Sequence, residues 1–82
     1  MMKQKIFDQL TPIFQEVLDE PSLVLTETLS AAAVDGWDSL KHITLIVEIE
    51  ALTGLVLSAD ELINIQNVGD FVNLLYNRGY RG

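Results

Sequence analysis

The chain contains no cysteine. Disulfides and thiolate metal sites are therefore excluded, and the absence suits a reducing cytosol. Histidine is scarce, and His42 is the only one. One imidazole among scattered carboxylates lacks metal-ligand spacing, and the pairs Asp19–Glu20 and Asp60–Glu61 read as solvated caps. There is no G-x-S-x-G elbow and no glycine-rich phosphate loop. No stretch approaches the roughly 20 apolar residues of a membrane span. Lys3 and Lys5 stand near the start, but Asp8, Gln9 and Gln15 interrupt any apolar run, so no signal peptide is expected. Basic residues are few, five against twelve acidic ones, for a formal net charge of −7. Such a surface repels nucleic-acid phosphates and anionic membranes. It favours partners that carry basic patches. A cytoplasmic monomer is expected, with no nucleic-acid partner and no membrane insertion.

What is present fits one domain spanning residues 1–82. A chain this short buries only about 60% of its unfolded surface. Its hydrophobic fraction of 49% is enough for a core and too high for a disordered tail. Residues 3–18 read as an amphipathic helix with Ile6, Leu10, Ile13, Phe14, Val17 and Leu18 on one stripe. Pro12 removes one internal hydrogen bond from it, and Asp19, Glu20 and Pro21 end it. Residues 19–38 show no clear period, an unusual length of connection inside a compact domain. Leu23, Leu25, Leu29 and Val34 read as anchors that pin this loop to the core. Thr26–Thr28 suits a turn, "SAAAV" a helical turn, and "LVLTET" is the nearest approach to a strand.

A second helix is predicted over 39–53. Asp38 is its N-cap and Gly54 its left-handed terminator. Its buried set is read as Leu40, Ile43 and Val47, extended by Leu45, Ile46, Ile49 and Leu52. Ser58 and Glu61 fit a capping box that opens a short helix, Ala59 to about Ile63. Asn67 caps a last helix whose apolar face is Val68, Phe71, Val72 and Leu75, with Tyr76 beside it. The end, "NRGYRG", is expected to fray. The fold class is a small all-α four-helix bundle, three longer helices and one short, with a long first loop.

Chemistry centres on Ser39. As a nucleophile it would use His42, three residues on and on the same helix face, with Asp35 or Asp38 as orienter. That reading also needs an oxyanion hole and a substrate cleft, which a bundle this small has little volume to supply. As a recipient it is better placed. A serine at the first turn of a helix is exposed, the dipole favours an attached phosphodiester, and Gly36 leaves access. On the dipeptide alone, "DS" reads first as a plain helix start.

The wider context adds to this. "GWDSLKHITLIVEIEALTG", followed by "LVLSADEL" and "NVGDFVNLL", resembles the acyl carrier protein family. In that family D-S-L opens the second of four helices, and the serine carries 4′-phosphopantetheine. The likeness covers most of the chain, long loop included. It implies that Ser39 is the attachment residue, flanked by the motif residues Asp38 and Leu40. It implies a phosphopantetheinyl transferase (holo-synthase) that moves the arm from coenzyme A to the Ser39 hydroxyl. The arm's thiol then bears acyl groups, which answers how a chain without cysteine could do thioester chemistry. The chain is expected to be a tether presented to acyl-loading and acyl-using enzymes, not a catalyst. Partner contacts are assigned to Lys41, Thr44 and Glu48.

Two departures stand out. The fatty-acid type carries acidic residues on the exposed face of this helix, whereas Lys41, His42 and Thr44 stand here, and acids arrive only at Glu48 and Glu50. Trp37 takes a place usually held by a small residue. It reads as a loop anchor packed on the bundle, and "GWDSL" looks more like carriers of specialised pathways. An aminoacyl or peptidyl carrier is the alternative subtype. An unmodified helical interaction module is the alternative from another class.

Overall fold

The computed structural model describes residues 3–82. Helix α1 spans Gln4–Val17. Ile6, Leu10, Phe14 and Leu18 recur at helical spacing and therefore line one face; all four are buried. Ile13 and Val17 lie half-buried at the edge of that stripe. Pro12 stands inside the helix without ending it, and its ring is exposed. The helix stops where Asp19 turns left-handed, at φ 55°. The Glu20 N–H donates to the Gln15 carbonyl and the Asp19 N–H to the Glu16 carbonyl. This is the bonding of a Schellman cap, with aspartate in the place glycine usually takes.

The connection to the next helix makes no strand, and "LVLTET" is irregular. It is nevertheless held along its length. Leu23, Leu25 and Leu29 pack against the core, and Val34 and Trp37 are buried in it. The Leu29 N–H donates to the Thr26 carbonyl, and Ala31–Ala33 form one 3-10 turn. The Leu29 and Glu27 carbonyls accept from the Val68 and Gly69 N–H groups, each at 2.9 Å. Those two donors sit at the start of the last helix, where no intrahelical partner exists. The loop thus completes a helix end, and the helix end fixes the loop.

Helix α2 is Ser39–Thr53, closed by Gly54 at φ 73°. Helix α3, Ala59–Ile63, opens with the expected capping box of Ser58 and Glu61. Helix α4, Val68–Asn77, opens at Asn67, whose side chain accepts from the Asp70 N–H. Asp70 returns a carboxylate oxygen to the Gln66 N–H at 2.9 Å. Val68, Phe71, Val72 and Leu75 are all buried, as expected. α1 packs on both α2 and α4. The core is one cluster drawn from α1, α2, α4 and the loops.

Two expectations are corrected. Leu45 and Ile49 form the buried face of α2, whereas Leu40, Ile43 and Val47 are 70%, 59% and 55% exposed. The helix is apolar on nearly every side, so periodicity alone cannot choose the face that α1 covers. The tail is seated against the bundle, not splayed from it. The Tyr80 N–H reaches the Leu75 carbonyl and the Gly79 N–H the Tyr76 carbonyl, with Gly79 at φ 95°. Tyr80 packs against the core, and the Arg81 guanidinium lies 4.0 Å from the centre of the Tyr76 ring. Arg78 donates to Glu61 at 2.7 Å and to the Val56 carbonyl at 3.2 Å, tying α4 to α3 and the loop before it. The Glu61 carboxyl is held below the usual carboxylate range, first by the Ser58 N–H it accepts and then by Arg78.

Candidate functional site

Ser39 is the first residue of α2 and is exposed. Asp38 makes this so. Its backbone is extended, and its Oδ1 accepts from the Lys41 N–H at 2.9 Å. Its carbonyl takes the His42 N–H, also at 2.9 Å. The chain therefore turns from loop to helix at one residue, and the next side chain is presented at the positive end of the helix dipole. Asp38→Ala is expected to lower stability by about 1 kcal/mol, read as a shifted denaturant midpoint.

Trp37, on the other side of the cap, points the opposite way. It is buried and meets Phe14 edge-on, with ring centres 5.5 Å apart and planes at 80°. It also stacks on His42 at 6.2 Å, and its Nε1–H donates to His42 Nδ1 at 3.3 Å. Phe71 flanks the imidazole at 5.7 Å. With Nδ1 accepting, the neutral ring carries its proton on Nε2. His42 is therefore engaged with aromatic neighbours, not arranged as a base beside an orienting carboxylate, as a triad requires.

Ser39 opens onto a cleft of about 450 Å³, lined also by Ala31, Trp37, Asp38, His42 and Ile43. Leu40, the third motif residue, points to solvent beside Ile43 and Val47. Lys41, Thr44 and Glu48 do come together. They line one side of a groove between α2 and α1 whose other side is Ile13, Glu16 and Val17. Glu50 is not part of that surface, because its carboxylate accepts from the Leu57 N–H at 2.9 Å. The Trp37–His42 bond was not legible beforehand. The two residues are five apart across a helix boundary, a spacing that belongs to neither helix nor strand.

A small helical fold that displays one hydroxyl on a capped helix start beside a cleft suits a carrier. Residues 8–75 match the protein family described as phosphopantetheine attachment site. The chain is similar to the solution structure of a holo acyl carrier protein from Geobacter metallireducens. The two share 44% identity, with a TM-score of 0.82 over 87% of this chain and 82% of that one. No curated protein matches. The chain belongs to the phosphopantetheine attachment family and has the acyl carrier protein fold. It is a non-catalytic carrier of covalently attached 4′-phosphopantetheine. Among the described residues no helix is long and apolar enough to cross a membrane.

Proposed function

We propose that Ser39 bears the phosphopantetheine and that the whole chain, 1–82, works as one acyl carrier domain in the cytoplasm. The observation that carries this reading is the exposed Ser39 hydroxyl on the first turn of α2, fixed by the Asp38 cap and open to a cleft. The residues suit the group. The serine Oγ attacks the phosphorus of coenzyme A that bears the pantetheine, the bond to the adenosine bisphosphate breaks, and the hydroxyl proton leaves to the transferase. Asp38 sets the helix start that displays the hydroxyl, and the dipole of α2 favours the phosphodiester formed there. Once attached, the group supplies a thiol for thioesters, which the chain itself lacks.

Acyl intermediates carried in this way are presented to loading and consuming enzymes of fatty-acid, polyketide or related biosynthesis. The tether replaces free diffusion with a high effective concentration. Lys41, Thr44 and Glu48, gathered in the α1–α2 groove, are the contacts proposed for those partners. Lys41 sets a positive charge among them. That favours a dedicated partner set over enzymes that dock on acidic helices.

The test is intact mass spectrometry after incubation with coenzyme A and a broad-specificity phosphopantetheinyl transferase. The wild type is expected to gain one phosphopantetheine and Ser39→Ala none. Asp38→Ala is expected to be modified more slowly. If the folded wild type gained no mass, or Ser39→Ala gained as much, the attachment reading would fall.

A further inference from the structure

The chain sets twelve carboxylates against five bases, so each base could have an acidic partner. Among the described residues only one ion pair forms, Arg78 with Glu61. Lys41 stands near Ser39 on α2. The other three bases, Lys3, Lys5 and Arg81, are exposed and gather at one end of the bundle.

The packing says which end. The last turns of α1, at Ile13 and Val17, face Lys41 and Thr44 in the first turns of α2. Phe14 meets Phe71 in the first turn of α4. The start of α1 meets the end of α4 instead. Lys3 Nζ donates to Asn73 Oδ1 at 2.7 Å and lies 5.2 Å from the centre of the Tyr76 ring. Arg81 lies 4.0 Å from the same ring centre. Gly82 sits so close to α1 that an added Cβ would stand 2.7 Å from the Lys5 Cβ. The three cations are thus separated from the Ser39 end by the 14 residues of α1, about 21 Å at 1.5 Å per residue.

These charges are held in place. Arg81 Nη1 donates to the Tyr76 carbonyl at 2.5 Å and to the Tyr80 carbonyl at 3.3 Å. The turn that brings it back is fixed by Gly79 at φ 95° and by the Tyr80 N–H on the Leu75 carbonyl. Two like charges on one ring repel each other, and an anion beside both relieves the repulsion. The dipoles of the α1 start and the α4 end oppose one another here, so the side chains decide the sign. One carboxylate stands nearby on α1, that of Asp8, whose Oδ1 accepts from Gln4 Nε2 at 2.9 Å.

We propose that this end docks an acidic segment of a partner protein, a short run rich in Asp and Glu, while the Ser39 end stays open to other enzymes. Charge complementarity selects this occupant, and the size of the basic surface makes it narrow. Salt screens exposed charges beyond about 8 Å, so a narrow segment meets the three cations and little of the acidic remainder. A flat anionic membrane would press on the neighbouring carboxylates as well, Asp8 among them. Three cations are a weak anchor to such a surface for a chain of net charge −7. The site goes beyond the carrier reading, because it is a second handle that does not involve the prosthetic arm. A partner held there raises the effective concentration of the carrier for its own modules.

The test is titration of the ¹⁵N-labelled chain with a poly-glutamate peptide of about ten residues, followed by NMR, with poly-lysine of equal length as control. Poly-glutamate is expected to shift the amides of residues 3–7 and 73–82, and to bind about tenfold more weakly when NaCl is raised from about 0.05 to about 0.3 M. Lys5→Glu with Arg81→Glu should weaken binding by about tenfold or more. Arg81 also seats the tail, so Lys5→Glu alone is the cleaner variant. Its ammonium makes no ion pair among the described residues, and its loss should cost about threefold in affinity at an unchanged melting midpoint. Lys5→Arg should keep the affinity. Shifts centred on residues 39–48, shifts spread over the surface, or none at millimolar peptide would overturn the proposal. So would poly-lysine shifting the same residues, or tighter binding to phosphatidylglycerol vesicles than to the peptide. The transferase should load the peptide-bound chain as fast as the free one, with Lys5→Glu correcting for any effect of the peptide on the transferase. Blocked loading would refute use of both ends at once. If Ser39 gains no arm in either case, the attachment reading falls, and the peptide map still decides this site.

Discussion

Phe14→Ala is expected to destabilise the protein by about 3–5 kcal/mol. Phe14 is fully exposed to neighbours and not at all to water. It meets Trp37 and Phe71 edge-on at 5.5 and 6.2 Å, joining α1, the long loop and α4 through one ring. Removing it opens a cavity under the indole, and the three elements cannot all close on it at once. Small domains hold only about 5–15 kcal/mol in total. The variant should therefore be marginal at room temperature, with a much lower urea midpoint and altered Trp37 emission. Phe14→Leu should recover most of the loss, since it refills the cavity. A loss below about 1 kcal/mol for the alanine variant would mean that the core collapses onto the gap and that Phe14 is not its centre.

Gly69→Ala should also destabilise, although the usual rule has the opposite sign. Inside a helix, alanine is favoured over glycine by about 1 kcal/mol. At Gly69 an added Cβ would lie 2.8 Å from the Glu27 carbonyl oxygen and 3.2 Å from the Glu27 Cβ. That carbonyl is backbone, and it is already bonded to the Gly69 N–H at 2.9 Å. It cannot swing aside without giving up the bond. The net cost should be about 1–3 kcal/mol, the range for overpacking. Thermal melting gives the sign, and hydrogen exchange at the amides of residues 68 and 69 locates the change. A stabilised variant would show that the loop yields.

The readable parts of this fold were those decided locally. Asp38, Ser58 with Glu61, and Asn67 each name a helix start, because a side-chain oxygen two or three residues before an orphan N–H is a local arrangement. The stripe of α1 was legible for the same reason, since one face only is apolar. Ser39 was legible as a displayed hydroxyl once its cap was found. The face of α2 was not, because Leu40, Ile43 and Val47 are as apolar as Leu45 and Ile49 and only contact with α1 separates them. The seating of the tail is not legible for a similar reason. Arg78 finds Glu61 and Val56 across the fold, and no window of neighbouring residues contains that. In the sequence Gly69 is only one residue of "NVGDFVNLL". Its requirement comes from a carbonyl belonging to the first loop.

The two backbone bonds from Leu29 and Glu27 to Val68 and Gly69 also constrain the order in which the chain can assemble. They join segments separated by all of α2 and α3, so their loop-closure entropy is met only when the last helix docks. α1 and α2 can form early from local contacts, and the D-S-L segment can become helical with them. The stretch at Glu27 and Leu29 cannot gain these two bonds until Val68 and Gly69 are in place. A chain still emerging during synthesis would thus lack the bonds that tie the first loop to the last helix, and this part of the fold becomes definite only once α4 has docked.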